Sequence, residues 1–559
     1  MRKIIVRKDG TLTLCSFTPD KVSQLDQDVS TALATIREWK NSFAPINRIP
    51  LDVLSLIPTH LSSQKDRFRA TSVCHHWRRT FIQHAALWSQ LDLSKGEVCV
   101  KALLERAGGS PLDITSYNPP PTGVITLLSP HTKQIRSLNF VNNRLEDIQQ
   151  FAEPDCGPLP LLRTLVIDDI IYNRSDATIP PSLINAVNLQ EFRWRSMSPP
   201  FFNHFVFPNL TSFDLSVPRV ELHASQLLDF LNASPTLQVV RVRIFGKISL
   251  DGVPRKKLVV LPNVESLCLV VSGGEPGYDL ATHISCPVVK RTSLTYGGNA
   301  NDPALHNTFP PASWNAIVRQ YTRSPIEEVT LVIDTTERNI LIFHLVFQSP
   351  DETIIRLCFE ASRNDHTWNK NTTDLPHEIY YKLFSQASRA IRGLPQLANV
   401  KRLHIRHVPP VSGCIRVTPI ANEVGRIFKF LPGPLEILTL HHCEMQPYFT
   451  PSVVFPPIEE LTILHPFYAL PGSPSDTFEA AMVGLAESQY ALGVPFGHVT
   501  VRMDNPPAGM AEGLRPWVGA RDCYNERCGA KHYTQRCAGD YSYSCAETCM
   551  CTPIIPRLA

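Results

Sequence analysis

The 559-residue chain reads as a mixed α/β protein. A short all-helical N-terminal region is followed by an irregular solenoid, a curved parallel sheet with helices and loops on its convex side. Three observations predict this. Apolar residues before about residue 90 recur at spacings of three and four, the period of helices. After residue 85 an apolar triplet spaced i, i+3, i+5 returns about a dozen times. The 48 prolines, against 26 glycines, are spread along the whole chain, so they punctuate many short elements instead of marking one linker.

Composition narrows the function classes. Hydrophobic residues make up 43% of the chain, enough for a sizeable core, and charged residues only 19%. The net charge of +3 comes from 54 basic and 51 acidic residues, a balance that predicts no general attraction to nucleic acid or to a membrane surface. No run of ~18 apolar residues suggests a membrane span. The opening MRKIIVRKDGTLTLCSF is basic but lacks the apolar run of a signal peptide. The expected compartment is therefore cytoplasm or nucleus, where thiols stay reduced.

Taken in order, residues 1–18 read as a flexible N-terminus and 19–43 as an amphipathic helix. Thr18-Pro19-Asp20 has the order of a helix start: cap, proline at the first position, acid in the first turn. Val22, Leu25, Val29, Leu33 and Ile36 then recur at helical spacing. Such a helix packs on the following module or pairs with another copy of itself; packing within the chain is the expectation.

Residues 44–93 read as two or three short helices. Pro50 stands at a first helical position, followed by Val53, Leu54 and Ile57; Ser63 and Asp66 have the form of a capping box. Cys74, Trp77 and Phe81 fall on one helical face. Cys74-His75-His76 suggests a metal site, but adjacent residues on a helix diverge by about 100° and cannot converge on one ion. No metal is expected there. The module is too small to stand alone, so its apolar surface needs the rest of the chain or a partner to cover it.

Ile49-Pro50, Val53-Leu54, Ile57, Leu61, Phe68, Val73-Cys74, Trp77-Arg78 and Leu87-Trp88 together resemble an F-box. The Val-Cys-x-x-Trp-Arg core and the later Leu-Trp carry most of the likeness, and the lead-in Ala44–Pro50 resembles F-box proteins abundant in mushroom-forming fungi. The resemblance implies binding of the Skp-type adaptor of a cullin-based ubiquitin ligase. It assigns that contact to Ile49, Pro50, Val53, Leu54, Ile57, Leu61, Phe68, Val73, Cys74, Trp77, Leu87 and Trp88. Two positions depart from the pattern: Pro58 interrupts the first helix, and Lys65-Asp66-Arg67 is charged where an apolar residue commonly follows the aspartate.

Residues 94–504 carry the triplet, which begins just upstream with Trp88-Leu91-Leu93 and continues as Ile135-Leu138-Phe140 and Leu162-Leu165-Ile167. It ends with Phe496-Val499-Val501. From Leu162 to Val264 successive triplets start 27, 21, 27 and 27 residues apart. Leucine-rich repeats have periods of ~20–29 residues. The last two apolar positions are two apart, so both enter one face of a strand and the residues between face out. Helices are expected between strands at 225–234 and 375–394. Ile326-Val329-Leu331 and Ile354-Leu357-Phe359 read as successive repeats. Spacing loosens beyond Leu269, and the asparagine typical of such repeats is mostly missing, so the array is degenerate.

In a solenoid the outward strand positions line a concave face. Arg193, Arg195, Arg241, Arg243, Arg402, His404 and Arg406 are the candidate target-binding residues there. Arginine forks suit a carboxylate or phosphate; the alternative is a solvated strand face. Residues 505–559 read as a flexible tail. They hold six of the 15 cysteines, Cys523, Cys528, Cys537, Cys545, Cys549 and Cys551, at spacings that fit zinc modules poorly.

No nucleophile motif, phosphate loop or metalloprotease motif is present, and neither an enzyme nor a cofactor is expected. Two functions remain open. One is a substrate-recruiting F-box subunit that binds a Skp-type adaptor and an unidentified protein target. The other is a repeat scaffold whose helical module merely caps the solenoid.

Overall fold

The computed structural model describes residues 18–61, 63–143, 159–168, 186–196, 395–408, 431, 433–441, 455–464 and 475–502. With short breaks it also describes 205–299 and 320–362, together with strands at 2–6, 12–16 and 523–526. The chain forms two compact units, residues 1–193 and 194–559.

The first unit opens with an antiparallel hairpin, β1 (Arg2–Val6) and β2 (Leu12–Ser16), in the stretch expected to be flexible. Asp9-Gly10 lies in its connection, a residue pair that favours tight hairpin turns. Helix α1 (Pro19–Ser42) starts at Pro19 as read from the sequence. It buries no residue, which overturns the expectation that its apolar stripe packs within the chain. Its polar side meets the next module through Glu38 and His75, 3.2 Å apart.

Three short helices follow: α2 (Leu51–Leu56), α3 (Gln64–Ala70) and α4 (His75–Gln83). Pro50 precedes the first of these instead of entering it. After Leu56 the chain tightens into a 3-10 turn, Ile57–His60, because Pro58 has no N–H to continue the α-helical ladder. Ser63 flanks α3 but its side chain makes no cap bond, and Asp66 pairs with Arg69 at 3.1 Å. The predicted capping box is therefore absent, although the helix begins where the box placed it. Cys74 flanks α4 in extended conformation and is not part of its apolar face.

A parallel sheet begins directly after this bundle. Its strands β3 (Gln90–Asp92), β4 (Leu112–Ser116), β5 (Ile135–Val141) and β6 (Thr164–Asp168) pair in sequence order. Helices α5 (Glu97–Ala107) and α6 (Thr122–Leu128) lie in the crossovers. Gly108 ends α5 at φ 53°, where its N–H still reaches the Leu104 carbonyl at 3.1 Å; a left-handed residue at this position favours glycine. Strand β7 (Glu191–Arg195) contains the division between units.

In the second unit β8 (Ser212–Val217), β10 (Val239–Ile244), β13 (Ser266–Ser272) and β15 (Arg291–Asn299) pair successively in parallel. Helix α7 (Ala224–Asn232) fills one crossover, close to the predicted 225–234. Two-residue ladders join β9 (Leu222–His223) to β11 (Ile248–Ser249), and β12 (Val259–Val260) to β14 (Ile284–Ser285). The helix expected at 375–394 lies outside the described residues.

Beyond β15 the strand order departs from the expected succession. Strands β16 (Glu328–Asp334), β17 (Ile340–Gln348) and β18 (Ile354–Ser362) form an antiparallel meander. It is inserted backwards: β18 pairs in parallel with β15, and β16 in parallel with β19 (Arg402–Val408). The apparent repeat from Ile326 to Ile354 thus hides an extra strand. Residues 335–339 and 349–353 are the only chain between these strands, and a parallel crossover needs a dozen residues or more. Parallel pairing then resumes through β20 (Leu435–His441), β21 (Ile458–Leu464), β22 (His498–Arg502) and β23 (Cys523–Glu526), with helix α8 (Ser475–Ala491) between β21 and β22.

The triplets are the core: Leu162-Leu165-Ile167, Leu210-Phe213-Leu215, Leu237-Val240-Val242, Val264-Leu267-Leu269 and Leu435-Leu438-Leu440 are all buried. Two strands escaped the pattern for a visible reason. In β4, Ile114 pairs with the middle triplet residues Leu91 and Leu138, but buried Ser116 stands at the last apolar position, opposite Phe140, and β15 has Thr292 at the buried middle position.

The residue just before a triplet supplies a tie the pattern did not show. Asn188 Nδ2 donates to the Pro160 carbonyl at 2.7 Å, Thr236 Oγ1 to Pro208 at 2.9 Å, and Asn263 Nδ2 to Pro235 at 3.0 Å, each 28 residues back. Each bond staples one repeat to its predecessor. Thr236→Val with Asn263→Ala should lower the stability of the second unit by ~0.5–1.5 kcal/mol per bond, measured by denaturant unfolding, without changing its circular dichroism.

Candidate functional site

The helical module is built around Trp88. Its ring is buried and packs on Phe68 at 5.5 Å, while its indole N–H donates to the Phe81 carbonyl at 3.0 Å. Trp77 packs against Phe81 with the ring centres 5.3 Å apart and the planes tilted by 59°. From α5, the Arg106 guanidinium sits 4.9 Å from the Trp88 ring centre, a cation–π contact. Leu54, Ala70, Phe81 and Leu87 complete the core.

Arg67, one of the charged departures noted above, is buried inside this core. Its Nε donates to the Leu61 carbonyl at 2.9 Å and its Nη1 to Leu87 at 3.4 Å. It therefore ties the end of the 3-10 turn to the end of the module. Burial lowers its pKa, and the charge of Asp113 opposes that shift. Arg67 also lines a small cleft with Ser89, Asp113 and Arg136. Asp113 accepts from Arg136 Nε at 2.9 Å.

The twelve residues assigned to adaptor contact divide by exposure. Leu54, Leu87 and Trp88 are buried, and Ile49, Ile57, Leu61, Cys74 and Trp77 are half-buried. Pro50, Val53, Phe68 and Val73 are exposed, as are Leu51, Leu56 and Ile82. The last three were not singled out from sequence, although Leu51 and Leu56 lie on the same short helix as Val53. Exposed apolar side chains grouped on a small bundle are the kind of surface that marks interaction sites in proteins generally.

The family comparison bears on this module. Residues 46–94 match the F-box-like family. Among proteins of curated function none matches the chain. F-box domains in general bind Skp-type adaptors, and proteins that carry them are typically non-catalytic adaptors of ubiquitin ligases. The F-box-like match ends at residue 94, after Leu91 has entered the first strand of the sheet and buried Leu93 has opened the 3-10 turn that follows it.

The candidate target residues lie at outward positions of their strands. In the first unit Arg193 stands 3.5 Å from Glu191. In the second, Arg195 and Arg243 flank one buried carboxylate, Asp214, at 3.8 and 3.5 Å. Arg241 is directly opposite Asp214 in the ladder. Sequence reasoning passed over Asp214, although it occupies the outward position of Leu210-Phe213-Leu215. Part of the arginine charge is thus spent within the sheet.

A second group forms where β16 meets β19. Arg402 lies 3.8 Å from Glu327 and 3.6 Å from Glu328, and His404 Nε2 lies 3.7 Å from Glu328. Glu328 and His404 are buried. Burial, then the charge of Arg402, pushes the His404 pKa down from its usual 6.5 to about 4. Burial raises the Glu328 pKa, against the pull of Arg402. His404 is therefore neutral near pH 7 and its contact with Glu328 is not an ion pair. Arg406 is half-exposed on the same strand. Among the described residues no group of three or more His, Cys, Asp or Glu side chains is placed to hold a metal ion. Apart from Cys523 to Glu526, the cysteine-rich tail lies outside the described residues.

Two measurements check this geometry. Arg67→Met keeps the aliphatic stem but leaves two buried carbonyls without their donor. It should destabilise the first unit by ~1–3 kcal/mol in denaturant unfolding, whereas Arg69→Met on the exposed side should change little. For His404 the folded pKa lies below the unfolded one. The folded form binds fewer protons, and the residue's contribution is full above pH 6.5 and fades as pH falls toward about 4. The stability difference between wild type and His404→Gln should therefore vary with pH across that window and level off above it. A pH-independent difference would show that His404 is not buried as described.

Proposed function

We propose that the chain is the substrate-recruiting F-box subunit of a cullin-based, SCF-type ubiquitin ligase working in the cytoplasm or nucleus. The F-box-like match over residues 46–94 carries this reading. The exposed apolar side chains Leu51, Val53, Leu56, Phe68 and Val73 supply the surface a Skp-type adaptor would cover. Buried Leu54, Leu87 and Trp88 act from behind that surface, by holding its shape.

The sheet then takes the target. We read it as a degenerate leucine-rich-repeat solenoid interrupted by the inverted meander. Its support is the run of successive parallel pairings and the buried triplets at repeat spacing. Arg195, Arg241 and Arg243 around Asp214, Arg402 and His404 beside Glu328, and Arg406 farther along the same strand are the proposed contacts for an acidic or phosphorylated segment, with Arg193 in the first unit. One observation favours the alternative of a scaffold with an N-terminal cap: Trp88 belongs to both the helical core and the first triplet, so the module also covers the end of the sheet.

Adaptor capture separates the two. A Skp-type adaptor should retain the full chain, and Val53→Asp with Leu56→Asp should reduce capture by tenfold or more, ~1.4 kcal/mol or greater. Both side chains are exposed, so the fold should survive, as circular dichroism would show. Absence of capture by the folded wild-type chain would leave the capping role and remove the ligase reading.

A further inference from the structure

Helix α1 presents an uncovered seam with a strict seven-residue period. Val22, Val29, Ile36 and Phe43 recur every seven residues, and Leu25, Ala32 and Trp39 recur every seven between them. From Val22 to Trp39 these are the a and d positions of three consecutive heptads on one side of a 24-residue helix that buries nothing, and Phe43 follows at its C-cap. Val22, Leu25, Val29, Ile36, Trp39 and Phe43 are all exposed, Trp39 by 67%. At the C-terminal end Trp39 and Phe43 meet edge to face with centres 5.0 Å apart. The opposite side is polar: Gln24 bonds Asp28 at 3.0 Å, and Glu38 faces His75. The F-box-like domain therefore meets the polar side of α1 and leaves the seam open.

We infer that this seam is covered by the same helix of a second copy of the chain, in a parallel, in-register two-stranded coiled coil. A period of seven, shorter than two full turns of a straight helix, keeps its face aligned only against a supercoiled partner of equal period. β-branched residues at a with leucine at d favour two parallel strands, and here a is Val22, Val29 and Ile36 while d begins with Leu25. Parallel pairing also brings Lys21, at a g position, beside the e-position Asp26 of the partner copy. A membrane surface suits the helix poorly. Its acids, Asp20, Asp26, Asp28 and Glu38, outnumber its bases, Lys21, Arg37 and Lys40, whereas interfacial helices are rich in lysine and arginine on their polar side. The consequence is an assembly with two F-box-like domains held side by side, independent of whether those domains bind an adaptor.

Light scattering on the full chain across a wide concentration range should give twice the chain mass, dissociating on dilution. Val29→Asp with Ile36→Asp should return the mass to that of one chain while circular dichroism stays close to wild type, since neither residue packs in the single chain. Ala32→Cys should raise the yield of covalent dimer under mild oxidation above that of the unsubstituted chain, because d-position residues face each other in the parallel register. A wild-type chain that stays single, or a dimer that survives the double aspartate change, overturns the proposal. So does the absence of extra cross-linking at position 32, since an antiparallel pair would set Ala32 against Val29. Adaptor capture, measured separately on the double variant, should be unchanged and so keeps this test apart from that of the F-box reading.

Discussion

Burial of Trp88 is the constraint on which the N-terminal half of the protein depends. One indole closes the helical core against Phe68, bonds the backbone at Phe81, receives Arg106 from α5, and opens the first triplet with Leu91 and Leu93. A bundle of three helices, each of nine residues or fewer, buries too little apolar surface to stand alone. It borrows stability from the sheet through this shared residue. The same economy explains the buried Arg67: its bonds to Leu61 and Leu87 hold chain segments that the small core cannot fix by packing alone.

In the sheet, alternation governs both stability and the surface available for recognition. Inward residues are apolar with few exceptions, and Thr292 shows that a small β-branched polar residue can fill the position. Outward residues are free to vary, and they vary toward charge: Arg241, Arg243, Arg402 and Arg406 share the face with Asp214 and Glu328. The acids sit deeper than the arginines, so the carboxylates are buried and the guanidinium groups remain partly in water. Such an arrangement keeps the basic groups ordered while leaving donor capacity for an anionic partner.

The inverted meander shows how local geometry overrides a repeat. Five-residue connections on either side of β17 force antiparallel pairing, yet β16 and β18 still run parallel to their outer neighbours β19 and β15. Because one reversed strand between two forward ones preserves direction at both ends, the sheet continues without a break.

Much of this was legible in the sequence. Helix α1 began at Pro19, the F-box-like stretch showed in Val73-Cys74-x-x-Trp77-Arg78, and the triplets marked most strands, because capping chemistry, helical period and strand alternation are local rules carried by nearby residues. Residues 1–18 and β4 were missed where a turn pair was overlooked and where Ser116 replaced an apolar residue. Tertiary structure alone decided the rest. Which F-box-like residues face water depends on which side of α2 the other helices take, and it put Leu54 inside with Val53 and Leu56 outside. The order β15-β18-β17-β16-β19 depends on pairing between strands distant in sequence, which a periodic pattern does not encode. The burial of Arg67, Asp214 and His404 depends on neighbours from other strands and loops, and those neighbours, not the residue types, set their charge and their use.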